Sequence, residues 1–154
     1  MKPENADFDK IVDEINRELL VDMKRAYSPN VIDRFLHPRN LGALDDADGH
    51  ARVTGPCGDT MEIWLRVADG GIARAGFMTD GCGPTIACGS MATELAGQTT
   101  VEAAKNISQE DILKALGGLP RESEHCALLA SITLKKAVAG YENNQDKNSG
   151  ERNE

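Results

Sequence analysis

Four cysteines, Cys57, Cys82, Cys88 and Cys126, lie 25, 6 and 38 residues apart. No two form Cys-x-x-Cys, which disfavours a zinc ribbon, a thioredoxin-type redox pair and the usual ferredoxin pattern. Three of the four sit at the ends of expected elements. Cys57 lies in Gly55-Pro56-Cys57-Gly58-Asp59, Cys82 stands directly before Gly83-Pro84, and Cys126 opens the last helical pattern. Such positions commonly present functional side chains. Unpaired amides and the macrodipole make a helix start partly positive, which favours a thiolate. Cys82 and Cys126 are therefore expected to ionise more easily than a free thiol. A thiolate is the species that binds a soft metal and attacks sulfur. Asp59 follows Cys57 with Gly58 between them, so both side chains reach one place if the loop bends. His125 immediately precedes Cys126. Three thiolates, a carboxylate and an imidazole would make a site of mixed soft and hard donors.

Each residue also has a plainer reading. A cysteine is often a small buried packing residue, and taken singly Cys57, Cys82 and Cys126 divide about evenly between packing and chemistry. Cys88 is expected to pack, because six residues place it about 120° around a helix from Cys82. Asp59 alone reads as an Asx-turn residue, and His125 alone as a helix-start residue facing solvent. His37 and His50 have no comparable setting.

These residues must be positioned by a small chain. Its 154 residues fit one ordinary domain. Lys and Arg number 17 against 25 Asp and Glu, a net charge of −8, with no basic patch; nucleic acid is excluded as an expected partner. No apolar run approaches the ~20 residues that span a bilayer, so no membrane role is expected. The start, Met1-Lys2-Pro3-Glu4-Asn5-Ala6-Asp7, has neither the basic flank nor the apolar stretch of a signal peptide. A cytoplasmic protein with reduced thiols is the expectation. Asn106-Ile107-Ser108 then reads as a helix cap rather than a glycosylation site. Aromatic residues are only 4%, so the core must rest on Leu, Ile, Val, Met and Ala.

Phe8, Ile11, Val12, Ile15, Leu19 and Met23 make one helical stripe over residues 8–23. Ser28 caps a short second helix with Pro29 at its first position. Val31, Ile32, Phe35 and Leu36 form its buried side, and Pro38 ends it. Residues 39–50 read as a loop. Ala51–Thr54 is a short strand, and Met61, Ile63, Leu65 and Val67 alternate with polar or large residues in a second. Asp69-Gly70-Gly71 accepts positive φ, and Ile72–Thr79 returns as the third strand. Gly83-Pro84 opens a helix with Ile86, Met91 and Leu95 as core contacts, ended by Gly97. Thr99 and Glu102 are placed as a capping box. Ser108 caps a helix to Leu116, stopped by Gly117-Gly118. The last helix begins near His125 with Ala127, Ala130, Leu134, Ala137 and Tyr141 on one stripe. The fold class is α+β: a three-stranded antiparallel sheet packed against helices. Three segments follow: an amphipathic extension over 1–26, the domain over 27–141, and a polar tail over 142–154 expected to be disordered.

Gly55-Pro56-Cys57-Gly58-Asp59, Gly81-Cys82-Gly83-Pro84-Thr85-Ile86-Ala87 and His125-Cys126 resemble the IscU/NifU-type iron–sulfur cluster assembly scaffolds in order and spacing. Tyr27-Ser28-Pro29-Asn30-Val31-Ile32-Asp33, Pro38-Arg39-Asn40-Leu41-Gly42 and Leu116-Gly117-Gly118-Leu119-Pro120 extend the likeness over Tyr27–Tyr141. The resemblance implies the small scaffold fold, here with an extra N-terminal helix, and a scaffold rather than an enzyme. It implies Cys57, Cys82 and Cys126 as ligands of a [2Fe-2S] cluster, Asp59 as the residue that makes the cluster labile, and His125 as an alternative ligand, notably for zinc. Cys126 inherits the role of sulfur acceptor. The implied partners are a cysteine desulfurase, an electron donor such as a ferredoxin, and apo iron–sulfur proteins. The sequence departs from the family at Leu119-Pro120-Arg121-Glu122-Ser123, where bacterial members carry the Hsp70-type chaperone motif Leu-Pro-Pro-Val-Lys. Asp80 replaces a common aromatic, and Cys88 a common serine. The long N-terminal helix either packs on the domain or mediates self-association into a homodimer.

The main rival is a zinc-dependent sulfur acceptor of the SufU kind, in which Asp59 and the three cysteines hold zinc and one thiolate exchanges for persulfide. The His125-Cys126 pair belongs instead to the cluster-scaffold pattern. A purely structural zinc domain is disfavoured by a core large enough to fold without metal. A Cys-His hydrolase is disfavoured because neighbours on a helix diverge by ~100°.

Overall fold

The computed structural model describes residues 3–152, with side chains described from Ala6 to Lys147. The chain runs α1 (Pro3–Ala26), α2 (Pro29–Leu36), β1 (Gly49–Thr54), β2 (Thr60–Ala68), β3 (Gly71–Thr79), α3 (Gly83–Ala96), α4 (Val101–Lys105), α5 (Gln109–Leu116), a 3-10 turn (Arg121–Ser123) and α6 (Glu124–Arg152). The sheet is antiparallel in the order β1-β2-β3. Alternation in β2 buries Met61, Ile63 and Leu65 completely, because successive side chains point to opposite faces. Asp69 and Gly70 both take positive φ, as a two-residue hairpin turn requires. The outer side of β3 is not left bare: Gly42 N–H donates to Phe77 O at 2.8 Å, and Phe77 N–H to Asn40 O at 2.9 Å.

Helices α3 and α6 cover one face of the sheet and touch each other. They do so through small side chains. Ala87, Cys88, Ala92, Ala127, Ala130 and Ala137 are all fully buried, in one core with Phe77, Ile63, Leu65 and Leu134. Helix α3 is buried on nearly every side. The expected core contacts are present: Met91 is buried, and Ile86 and Leu95 are half-buried against the core. A helix enclosed all round needs its polar groups satisfied, and Thr93 Oγ1 meets Gly89 O and Ser90 O at 3.0 and 2.8 Å.

Two further expectations change. Thr100, not Thr99, caps α4 by accepting from Ala103 N–H at 3.0 Å, while Thr99 Oγ1 donates to Ala96 O. No tail begins at residue 142: α6 continues to Arg152, since extending an established helix adds one hydrogen bond per residue fixed. Residues 153–154 lie outside the described residues. The α1 stripe is exposed at Phe8, Ile11, Val12, Ile15 and Leu19, and the helix meets the domain mainly at α2. The caps read from the sequence at Ser28 and Ser108 are present, the latter as a full box with Asp111.

The close approach of α3 to the sheet gives a direct test. A Cβ on Gly89 would stand 2.6 Å from Cε2 of the fully buried Phe77 ring. Gly89→Ala is expected to lose about 1–3 kcal/mol to overpacking, outweighing its gain in helix propensity. The urea midpoint should fall with an unchanged m-value.

Candidate functional site

Antiparallel register decides where the donors lie. Met61 stands opposite Thr79 and Thr60 opposite Thr54, so the β1–β2 turn and the β3–α3 turn emerge at the same end of the sheet. Gly58, with φ +92°, lets the first turn fold back. Gly55 N–H donates to Asp59 O at 2.8 Å, and Gly58 N–H to Gly55 O at 3.0 Å. This turn places Cys57 in solvent and leaves Asp59 half-buried. The second turn is tied to the first strand of its pair, because Asp80 Oδ1 accepts from Thr60 N–H at 2.7 Å. It leads to Cys82, an exposed residue at the N-cap of α3 with extended backbone.

Cys126 reaches this end from α6. It is buried, and Thr85 in the first turn of α3 links it to the hairpin. Thr85 Oγ1 lies 3.3 Å from Cys126 Sγ and 3.0 Å from Asp59 Oδ2. His125 is exposed, yet its Nε2 lies 3.8 Å from the same sulfur. The expectation that these neighbours diverge is corrected by that contact, which the first turn of a helix permits. Burial, for its part, holds the Cys126 thiol up. Cys88 is fully buried in the core, as expected, and burial pushes its thiol far upward.

The ionisation expected of Cys126 is corrected as well. Burial is the largest influence and raises its pKa; the Thr85 hydroxyl offsets this in part, and nearby Cys82, Asp59 and Cys57 add to the rise. Desolvation and clustered negative charge outweigh the helix start. Gathering these groups without a cation is unfavourable, and a bound cation reverses that balance. Among the described residues, no three His, Cys, Asp or Glu side chains stand close enough to share one ion. The donors thus surround one sheet end as an open set rather than a closed cage. Beside Cys82, a cleft lined by Tyr27, Val31, Ile32, Phe35 and Pro84 gives the open side an apolar wall.

Two residues escaped the sequence reading. Thr85 is fully buried, and a threonine in a helix's first turn carries no signal of a distant partner. Gly81 matters because a Cβ there would meet Asp59 Oδ2 at 2.8 Å and Thr85 Cβ at 2.7 Å. Only its position in the glycine-rich approach to Cys82 hinted at close packing.

Fold and site together define a small α+β domain that gathers thiol, carboxylate and imidazole groups around one sheet end. The chain belongs to the NifU-like N-terminal domain family, whose profile matches residues 26–148. It is 45% identical over 116 residues to the iron–sulfur cluster assembly scaffold protein IscU 1 of Archaeoglobus fulgidus, covering 75% of this chain and 76% of that one. Its fold is similar to the N-terminal NifU-like protein of Brucella abortus, with a TM-score of 0.60, 17% identity, and coverage of 75% and 94%. It is also similar to a proposed SUF-system scaffold from Fervidobacterium islandicum, at 0.59 and 18%, with coverage of 73% and 96%.

The burial pattern predicts an order of thiol reactivity. Iodoacetamide should label Cys57 and Cys82 first, Cys126 more slowly, and Cys88 only on unfolding, as read by peptide mass spectrometry. With its folded pKa raised, Cys126 holds less thiolate near pH 8 than it does in urea. Its labelling should therefore accelerate at a higher pH in the native protein than in the denatured chain.

Proposed function

We propose that this protein is the scaffold on which [2Fe-2S] clusters are assembled from iron and desulfurase-derived sulfur, then transferred to apo-proteins in the cytoplasm. The observation that carries the reading is the open set of donors at one sheet end: Thr85 stands between Asp59 and Cys126, His125 lies beside Cys126, and Cys57 and Cys82 are exposed on the two turns. Its likeness to an IscU scaffold supports the same activity. The protein acts as a platform rather than an enzyme, and iron and sulfur are its cargo.

Cys126 is the sulfur acceptor. Its thiolate attacks the outer sulfur of a persulfide on a cysteine desulfurase, forming Cys126–S–SH and releasing the desulfurase thiol. Two such sulfurs need four electrons to become sulfide. Two ferrous ions supply two of these on becoming ferric, and a donor such as a ferredoxin supplies the others. Cys57, Cys82 and Cys126 hold iron through sulfur, and Asp59 closes the set with oxygen. A carboxylate corner on a soft site is the weakest, so an incoming thiolate displaces it first. Without Asp59 that corner passes to His125, a nitrogen donor that leaves more slowly.

Anaerobic reconstitution with a desulfurase, ferrous iron and a reductant tests the proposal. A [2Fe-2S] absorbance spectrum is expected from the wild type and should be lost in Cys126→Ser. Asp59→Ala should slow transfer to an apo-ferredoxin severalfold and lengthen cluster lifetime; a lifetime equal to wild type would remove the labile-corner idea. Isolation with one zinc per chain, and persulfide exchange without visible absorbance, would favour the SufU-type reading instead.

A further inference from the structure

Asp59 and Cys126 come from elements far apart in sequence, and one side chain stands between them. Thr85 Oγ1 is 3.0 Å from Asp59 Oδ2 and 3.3 Å from Cys126 Sγ. A hydroxyl has a single proton and two acceptor sites, so it donates to one neighbour while accepting from the other. With Cys126 as thiol, S–H donates to Thr85 and Thr85 donates to the carboxylate, which completes a chain of two hydrogen bonds. Thr85 is fully buried, and a branched side chain in a helix has few rotamers. The hydroxyl is therefore held in place rather than free to search. Among the described residues, the Asp59 carboxylate has no other hydrogen-bond partner. Gly81 makes the approach feasible: a Cβ there would stand 2.8 Å from Asp59 Oδ2.

We propose that Thr85 is a positioning residue that sets the Asp59 carboxylate beside the Cys126 sulfur, so that the oxygen corner of the site lies next to the sulfur acceptor. This rests on the scaffold reading, in which Asp59 is the corner displaced at handover. Without the hydroxyl the hairpin keeps its backbone turn, but the carboxylate is no longer drawn to this sulfur. The corner then behaves as though Asp59 were absent.

Cobalt(II) serves as the probe, added anaerobically to the full chain, with thiolate-to-cobalt absorption reporting sulfur ligation. Thr85→Val should keep that absorption, shift the d–d bands to those of Asp59→Ala, and slow removal of cobalt by a chelator severalfold, to the rate of Asp59→Ala. Thr85→Ser should restore the wild-type spectrum and rate. In an Asp59→Ala background, Thr85→Val should add nothing. Gly81→Ala crowds the carboxylate off the hydroxyl and should shift bands and rate the same way, which keeps the test sound if Thr85→Val melts early. A Thr85→Val protein that matches wild type while Asp59→Ala does not overturns the role of Thr85 alone. So does a further effect in the double variant. If Asp59→Ala itself matches wild type, the labile-corner reading falls and the role of Thr85 with it.

Discussion

The pairing of β2 with β3 is the constraint on which the site depends. Placing Met61 opposite Thr79 brings the β1–β2 turn and the β3–α3 turn to one sheet end. Asp59 is then a neighbour of Gly81, although more than twenty residues separate them along the chain. A slip of one residue would move Met61, Ile63 and Leu65 from the buried face to the other. Register is thus fixed by the core, and the donors inherit their positions from it. Asp80 strengthens this at the junction itself, by accepting from the first backbone amide of β2.

The second requirement is close packing above the sheet. Helix α3 approaches Phe77 through Gly89, and α6 lies against β1 at Gly49, where a Cβ would meet Ala137 and Tyr141. Small residues permit that approach, and dense packing resists displacement. Thr85 and Cys126 are consequently on rigid helices, one turn or less from their starts. The hairpin carrying Cys57 has no such enclosure: Pro56, Cys57 and Gly58 are all exposed. One half of the site is fixed and the other is borne on a turn. A platform that must accept cargo and release it gains from this division, because a fixed wall defines where sulfur arrives while an exposed turn lets partners enter.

The features legible in the sequence were those set by local spacing. Period-two alternation marked β2, Ser28-Pro29 marked α2, and Ser108 marked α5, each through interactions within a few residues. The grouping of Cys57, Asp59, Cys82 and Cys126 was legible through element ends and through family resemblance. What escaped is tertiary. Thr85 gains its role from two residues 26 and 41 positions away, which no local pattern encodes. The ionisation of Cys126 was misread because the helix start is visible in sequence whereas desolvation is not. At α4 the choice between Thr99 and Thr100 turned on which hydroxyl faced Ala103, a matter of one residue of chain direction. The polar end of α6 carried no stripe to bury, so amphipathicity could not reveal it.

The raised Cys126 thiol and the proposed acceptor role pull in opposite directions only while the protein is considered alone. A buried neutral thiol among acidic neighbours resists adventitious alkylation and oxidation, since the thiolate is the reactive form. A cation entering the donor set replaces repulsion with attraction and stabilises the thiolate at the same place. Thr85 fits this logic, since its hydroxyl can accept from the neutral thiol or donate to the thiolate. Burial and clustered negative charge thus leave this donor set better matched to a bound cation than to none.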